Sequence, residues 1–214
     1  MEDPVARMGE IWAKLYYHLA REFVALGPKG EEALRRGIRN FARDRGEAMR
    51  RVAEERGLPL TLDTLMREPP EGVHDMPFRR ICEEALKNFP DVKIDRSKPI
   101  QSYSEAGFCA YAAWWAQYPD GLKLGKIYCD EFHHVRNEAF NPKLRIDMLQ
   151  YITRGDQRCV LRSYFEGDDY DKKRQAVIRE ICSKARSYGF IIDSSEYGNI
   201  QKACEEILTG KKNE

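Results

Sequence analysis

The chain's 214 residues carry 36 Lys and Arg against 35 Asp and Glu, and this balance lacks the basic excess with which a dedicated nucleic-acid binder follows phosphates. Its length suits one domain with an appendage and is enough for a real core. No apolar run approaches the roughly 20 residues of a membrane span, and the opening MEDPVARMGEIW is acidic then amphipathic, without the order of a secretory signal. The expectation is a cytoplasmic protein without nucleic-acid or membrane partners, whose six cysteines are buried, metal-binding or catalytic rather than disulfide-bonded.

After Pro4, the residues Val5, Met8, Ile11, Trp12, Leu15, Leu19 and Phe23 recur at helical spacing, and Gly27-Pro28 ends that helix. A second helix is predicted from about Lys29 to Arg56, striped by Leu34, Ile38, Phe41 or Ala42, Met49 and Val52, with Gly37 and Gly46 inside it. Its Arg/Glu-rich remainder reads as a solvated face. Residues 57–79 hold four prolines and no long period, with a short helix near Leu62–Met66 and a loop pair, His74-Asp75, that reads as incidental. Ile81 to Phe89 fits a short helix, and Asp91 to Tyr103 fits two short strands or one strand broken at Pro99.

Phe108 to Gln117 is aromatic and alanine-rich and predicts a buried helix; Tyr118-Pro119-Asp120-Gly121 is a turn. A longer helix follows from Leu122 to Phe140, with Leu124, Tyr128, Phe132, Val135 and Ala139 on its core face, closed by Asn141-Pro142. Leu144, Ile146, Met148 and Gln150 then alternate with Arg145, Asp147 and Leu149, a turn falls at Thr153–Asp156, and Cys159 to Phe165 forms the second strand of a hairpin. Helices over Tyr170–Arg186 and Asn199–Leu208 are joined through Phe190-Ile191-Ile192. The fold expected is α+β: N-terminal helices against a small antiparallel sheet that includes the hairpin of 143–150 and 158–165. In domain terms, 1–166 is the α+β unit and 167–214 a helical extension packed on it.

The densest chemistry lies between Gly107 and Cys159. Cys109 falls at a helix start, where unpaired N–H groups and the helix dipole favour a thiolate, although a small buried hydrophobe fits the same position. Cys129 and His133 share a helix face one turn apart, Arg136 continues their stripe, and Glu131 points roughly the other way. Cysteine beside histidine suits an activated thiolate or a metal site. Asp130 and His134 form a second such pair that reads as a surface pair. Cys159 shares a strand face with Leu161 and would approach Cys129 if that face packs on the Leu122–Phe140 helix. Cys82, Cys182 and Cys204 read as packing residues. Zinc-finger spacing, a phosphate-binding loop, a dinucleotide fingerprint, HExxH and GxSxG are all missing from the sequence. No metal or other cofactor is expected; were zinc to bind, Cys109, Cys129, His133 and Cys159 would be its ligands.

The run YCDEFHHVRNEAFNPKLRIDMLQYITRGDQRC resembles the bacterial L-2-amino-thiazoline-4-carboxylic acid hydrolase family. The residues that carry the likeness are Cys129, Asp130, Glu131, Phe132 and His133, the helix stop Phe140, Asn141 and Pro142, the turn Thr153–Asp156, Cys159, and upstream Cys109 with Trp114 or Trp115. The likeness covers roughly residues 8–165. It departs at Gln157-Arg158, where an acid and a histidine are common, and in the tail after Gly167. The resemblance implies a hydrolase that opens a small ring (cyclic amidine, thiazoline or imide) at a C–N or C–S bond, giving an N-carbamoyl amino acid in the family's named reaction. Cys109 is then the expected nucleophile, His133 its base, Cys129 and Cys159 supporting thiols, and Asp156 or Glu131 a group that orients or shuttles protons. Trp115 and Asn141 are expected against the substrate, with Arg136 or Arg154 on its carboxylate. The other reading is a small-molecule sensor or scaffold resembling the vinyl-reductase-type ligand-binding domains. A homodimer would cover helical aromatics in excess of what one small sheet can bury.

Overall fold

The computed structural model describes residues 4–66, 103–106, 109–192 and 197–210. Its helices are α1 (Pro4–Ala25), α2 (Pro28–Glu55), α3 (Leu62–Met66), α4 (Ala110–Trp115), α5 (Gly121–Phe140), α6 (Asp169–Ser187) and α7 (Tyr197–Thr209). Its strands are β1 (Tyr103–Ala106), β2 (Leu144–Gln150) and β3 (Cys159–Phe165), and a 3-10 turn spans Ile152–Arg154. The fold is α+β. The expected helix at 81–89, the strands before Tyr103, the pair His74-Asp75 and Cys82 lie outside the described residues.

The sheet is antiparallel with the order β1-β3-β2. The late hairpin forms as its alternation requires, with Leu149 as a bulge where the register shifts between Met148 and Gln150. β1 is an addition: it pairs along the first half of β3, Ala106 opposite Cys159 and Tyr103 opposite Arg162. One face of the sheet packs on α5, which α2 and α1 back; α6 and α7 come from the other side, α7 against β2 and α6 against β3. That second layer changes β2. The alternation of Leu144, Ile146 and Met148 with Arg145, Asp147 and Leu149 is that of a strand with one wet face, yet both Asp147 and Leu149 are buried. Asp147 meets Arg174 of α6 and Gln201 of α7 there.

α2 and α5 form the largest helix contact, and Gly46 sets their distance. A Cβ on Gly46 would lie 2.3 Å from the Arg136 carbonyl oxygen and 2.6 Å from the Ala139 Cβ, backbone and short side chain that cannot swing away. Gly46→Ala is therefore expected to destabilise by about 1–3 kcal/mol through overpacking. Gly37→Ala, with nothing within 4 Å of its Cβ position, should gain a few tenths to about 1 kcal/mol from helix propensity. Urea unfolding of the pair checks both signs.

α1 turns out differently from what its spacing suggests. The stripe Met8, Ile11, Leu15, Leu19 and Phe23 faces solvent, with Met8 64% and Leu15 55% exposed. The buried face is Ala13, Tyr16, Tyr17 and Ala20. Two alanines let the helix backbone approach closely, so that the Trp115 indole donates to the Ala13 carbonyl at 2.9 Å. The tyrosines bury their rings while their hydroxyls reach the carbonyls of Leu124 at 2.8 Å and Pro119 at 3.3 Å.

Candidate active site

α5 is buried on both flanks, and each flank has its own chemistry. Toward α1 and α2 it presents Leu124, Tyr128 and Phe132, and Glu131 is held there by Arg35 at 2.8 Å and Arg39 at 2.9 Å. Toward the sheet it presents Cys129, packed with Ile146, Met148, Tyr151, Cys159 and Leu161. Cys159 and Leu161 do share the face that strand alternation assigns them, and that face does bring Cys159 to Cys129. Cys109 arrives by a separate route. It is the residue before α4 and stands three positions after Ala106, the register partner of Cys159. Three residues of chain reach at most about 10 Å, so the third cysteine of the stretch is delivered to the same end of the sheet.

The loop from β2 to β3 completes this end. The Asp156 carboxylate accepts from the Tyr151 backbone N–H at 2.9 Å and from Arg154 Nε at 3.0 Å. Arg154 also donates to the Leu149 carbonyl at 2.9 Å, and its guanidinium lies 4.8 Å from the centre of the Tyr151 ring. Gly155, at φ 101°, makes the left-handed step that closes the loop. Asp156 and Arg154 thus build the turn that aims Tyr151 at α5. The Tyr151 hydroxyl donates to Asp130 at 2.8 Å, and Lys126 donates to the other oxygen of the same carboxylate at 2.8 Å. Asp130 therefore pairs across the fold with Tyr151, and the expectation of a surface pair with His134 is corrected. Lys126 and Asp130 are visible in the sequence as an i,i+4 pair, but nothing local marks Tyr151 as their partner.

The L-2-amino-thiazoline-4-carboxylic acid hydrolase family matches residues 6–163, which include all three cysteines, Asp130, His133 and Tyr151. The chain belongs to that family. The family match ends within β3, so α6 and α7 lie beyond it. No curated protein and no solved structure matches the chain. Among the described residues, no helix is long and apolar enough to cross a membrane, and no three His, Cys, Asp or Glu are grouped to hold a metal ion.

In this hydrolase-family chain the charge states follow from burial. Burial pushes the Cys129 thiol up to about 12, with the neighbouring Thr153 hydroxyl opposing it short of a fully formed hydrogen bond. Burial raises Cys159 as well, against a hydrogen bond from the backbone of Ile152. Burial drives His133 down to about 3, assisted by Arg136 and His134, and its Nδ1 has no hydrogen-bond partner among the described residues. Burial also lowers His134, against Asp147 and Glu138. The expectation of His133 as the base for Cys109 is corrected: burial holds the imidazole too weakly basic to take a proton from a thiol, and on Cys129 beside it the proton likewise stays on sulfur. Burial and the Asp130 carboxylate keep the Tyr151 phenol protonated.

The remaining expected substrate contacts are placed as follows. Trp115 is 1% exposed and is a core residue, wedged against Gly125 of α5 and Tyr16 of α1. Its ring is spent on packing, which corrects its expected place against substrate. Asn141 donates to the Leu60 carbonyl at 2.7 Å and accepts from the Lys143 N–H at 2.9 Å, so its amide stops α5 and ties it to the α2–α3 connection. Arg136 lies 5.5 Å over the Phe132 ring and donates to Asn137 at 3.0 Å. Glu131 is committed to two arginines on the flank away from Cys129.

Proposed function

We propose that this chain hydrolyses a small cyclic amidine, thiazoline or imide, opening the ring at a C–S or C–N bond with Cys109 as nucleophile. The observation that carries the reading is the convergence, in a chain of this hydrolase family, of two half-buried protonated thiols, the Tyr151–Asp130 pair and the separately delivered Cys109. A thiol held protonated is a poor nucleophile. Cys129 and Cys159 therefore serve as walls and proton holders, and Cys109 is the cysteine left for attack.

For a 2-aminothiazoline the sequence of bonds is as follows. The Cys109 sulfur adds to the amidine carbon as its proton passes to the ring nitrogen. The bond from that carbon to the ring sulfur breaks, and the departing sulfur takes the proton that the exocyclic amino nitrogen releases as it forms its double bond to that carbon, while Tyr151 keeps its own proton and its hydrogen bond to Asp130. Water then adds to the same carbon and the bond to Cys109 breaks, giving an N-carbamoyl amino acid with a free thiol and consuming one water overall. His133, neutral throughout the physiological range, accepts a hydrogen bond from the exocyclic amino group through Nδ1 and does not act as a cation. Lys126 or Arg154 holds the substrate carboxylate. A nucleophile that must stay reduced suits the cytoplasm.

Proton NMR of the ring hydrogens, run on thiazolines, cyclic amidines and imides, tests this. Cys109→Ser is expected to lower kcat on the order of 100-fold or more, while Cys182→Ser leaves it unchanged. Wild-type turnover in Cys109→Ser would reject the nucleophile and leave direct attack by water. Thermal stabilisation by a compound that is never opened would favour the ligand-binding reading.

A further inference from the structure

We propose that α1 is the seam of a homodimer, two copies packing antiparallel about a two-fold axis through Leu15. The helix carries two apolar faces. One is the Ala13, Tyr16, Tyr17, Ala20 face already buried; the other runs the length of the helix through Met8, Ile11, Leu15, Leu19, Phe23 and on to Leu26, all exposed. The two faces adjoin through Trp12, so the helix is apolar around more than half its circumference, which is the pattern of a helix covered on more than its one buried face. Phe41 of α2, itself exposed, widens the open face beside Trp12, with its ring 6.3 Å from the indole. The six side chains of the stripe are between 36% and 75% exposed and form one contiguous apolar patch, the kind of surface that marks an interaction site.

The pattern says which partner fits. About Leu15 the stripe is nearly its own mirror image along the helix: Ile11 lies four residues before and Leu19 four after, Met8 seven before and Phe23 eight after. An antiparallel copy therefore sets Ile11 against Leu19 and Met8 against Phe23, with Leu15 on Leu15, which is the self-complementarity a two-fold contact needs. The polar side of the helix carries ion pairs, Glu10 with both Arg7 at 2.7 Å and Lys14, and Arg21 with Glu22 at 2.9 Å. Such a rim is polar but close to neutral, as at a protein interface. It lacks the Lys/Arg-rich face with which a helix lies on an anionic membrane.

The test is sedimentation velocity on the full chain at tens of micromolar, with circular dichroism as the check on folding. The wild type is expected to be a dimer, Leu15→Glu a folded monomer, and Leu15→Ser a dimer weakened tenfold or more. Should Leu15→Glu fail to fold, Leu15→Ser carries the measurement. Under mild oxidation, Leu15→Cys should form a covalent dimer through that position, mapped by peptide mass, while Ile191→Cys should not. A monomeric wild type, a dimer indifferent to Leu15→Glu and Leu15→Ser, or a monomer that sediments with phosphatidylserine vesicles would overturn the proposal.

Discussion

Arg174→Ala is expected to lose about 3–5 kcal/mol of stability, the range for removing one partner of a buried ion pair and leaving the other charge uncompensated. Arg174 and Asp147 are each 2% exposed and meet through two hydrogen bonds, one of them 2.5 Å long. Gln201 donates to the same carboxylate at 2.8 Å, and Arg174 also lies 5.1 Å from the Tyr164 ring. Burial pushes the Asp147 carboxyl upward while Arg174 pulls it down, so the carboxylate depends on its arginine. Beside this pair, Tyr170 donates to Glu205, and Arg162 stands 3.7 Å from the same carboxylate. These contacts, with Cys204 in the same layer, join α6 and α7 to β2 and β3. Urea unfolding of Arg174→Ala measures the loss. The double change Asp147→Leu with Arg174→Met should recover most of it, since a well-packed apolar pair often matches a buried ion pair. A loss in Arg174→Ala below about 1 kcal/mol, the scale of a solvated surface pair, would refute the account.

Acid is the second large perturbation. His133 has a folded pKa near 3 against about 6.5 unfolded. Between those values the unfolded chain binds the extra proton, so stability is full above pH 6.5 and is lost as the pH falls toward 3. At pH 5 the loss from His133 alone is about 2 kcal/mol. His134, lowered by the same burial, adds in the same direction. Denaturant midpoints at pH 7.5 and pH 5 should differ accordingly. His133→Leu, which fills the buried site without a titrating group, should remove the His133 share. If an imidazole proton resonance assigned to His133 titrates near 6.5 in the folded protein, the burial argument fails.

The candidate site was partly legible in advance because part of it is local. Cys129 and His133 share a helix face by period alone, and Cys159 shares a strand face with Leu161 by alternation alone. What each side chain does there was not legible. Glu131 sits two residues from Cys129 yet is bound by Arg35 and Arg39, some ninety residues away in the chain. Tyr151 reads as one more strand-end tyrosine until the Asp156–Arg154 loop turns it onto Asp130. His133 looks like a base at neutral pH until packing strips its water.

The same division runs through the fold. Spacing, breakers and turn residues located α2, α3, α5, both strands of the hairpin and the two last helices, because helix period, Pro/Gly breaks and strand alternation act over a few residues. Tertiary structure alone decided which face of α1 is buried. The more hydrophobic stripe lost to two alanines and two tyrosines, because close backbone approach and hydroxyls that reach carbonyls depend on the shape of α4 and α5 opposite. It also decided that β2 is covered on both faces, since an aspartate that reads as solvent-facing becomes a core residue only when an arginine from α6 arrives to hold it.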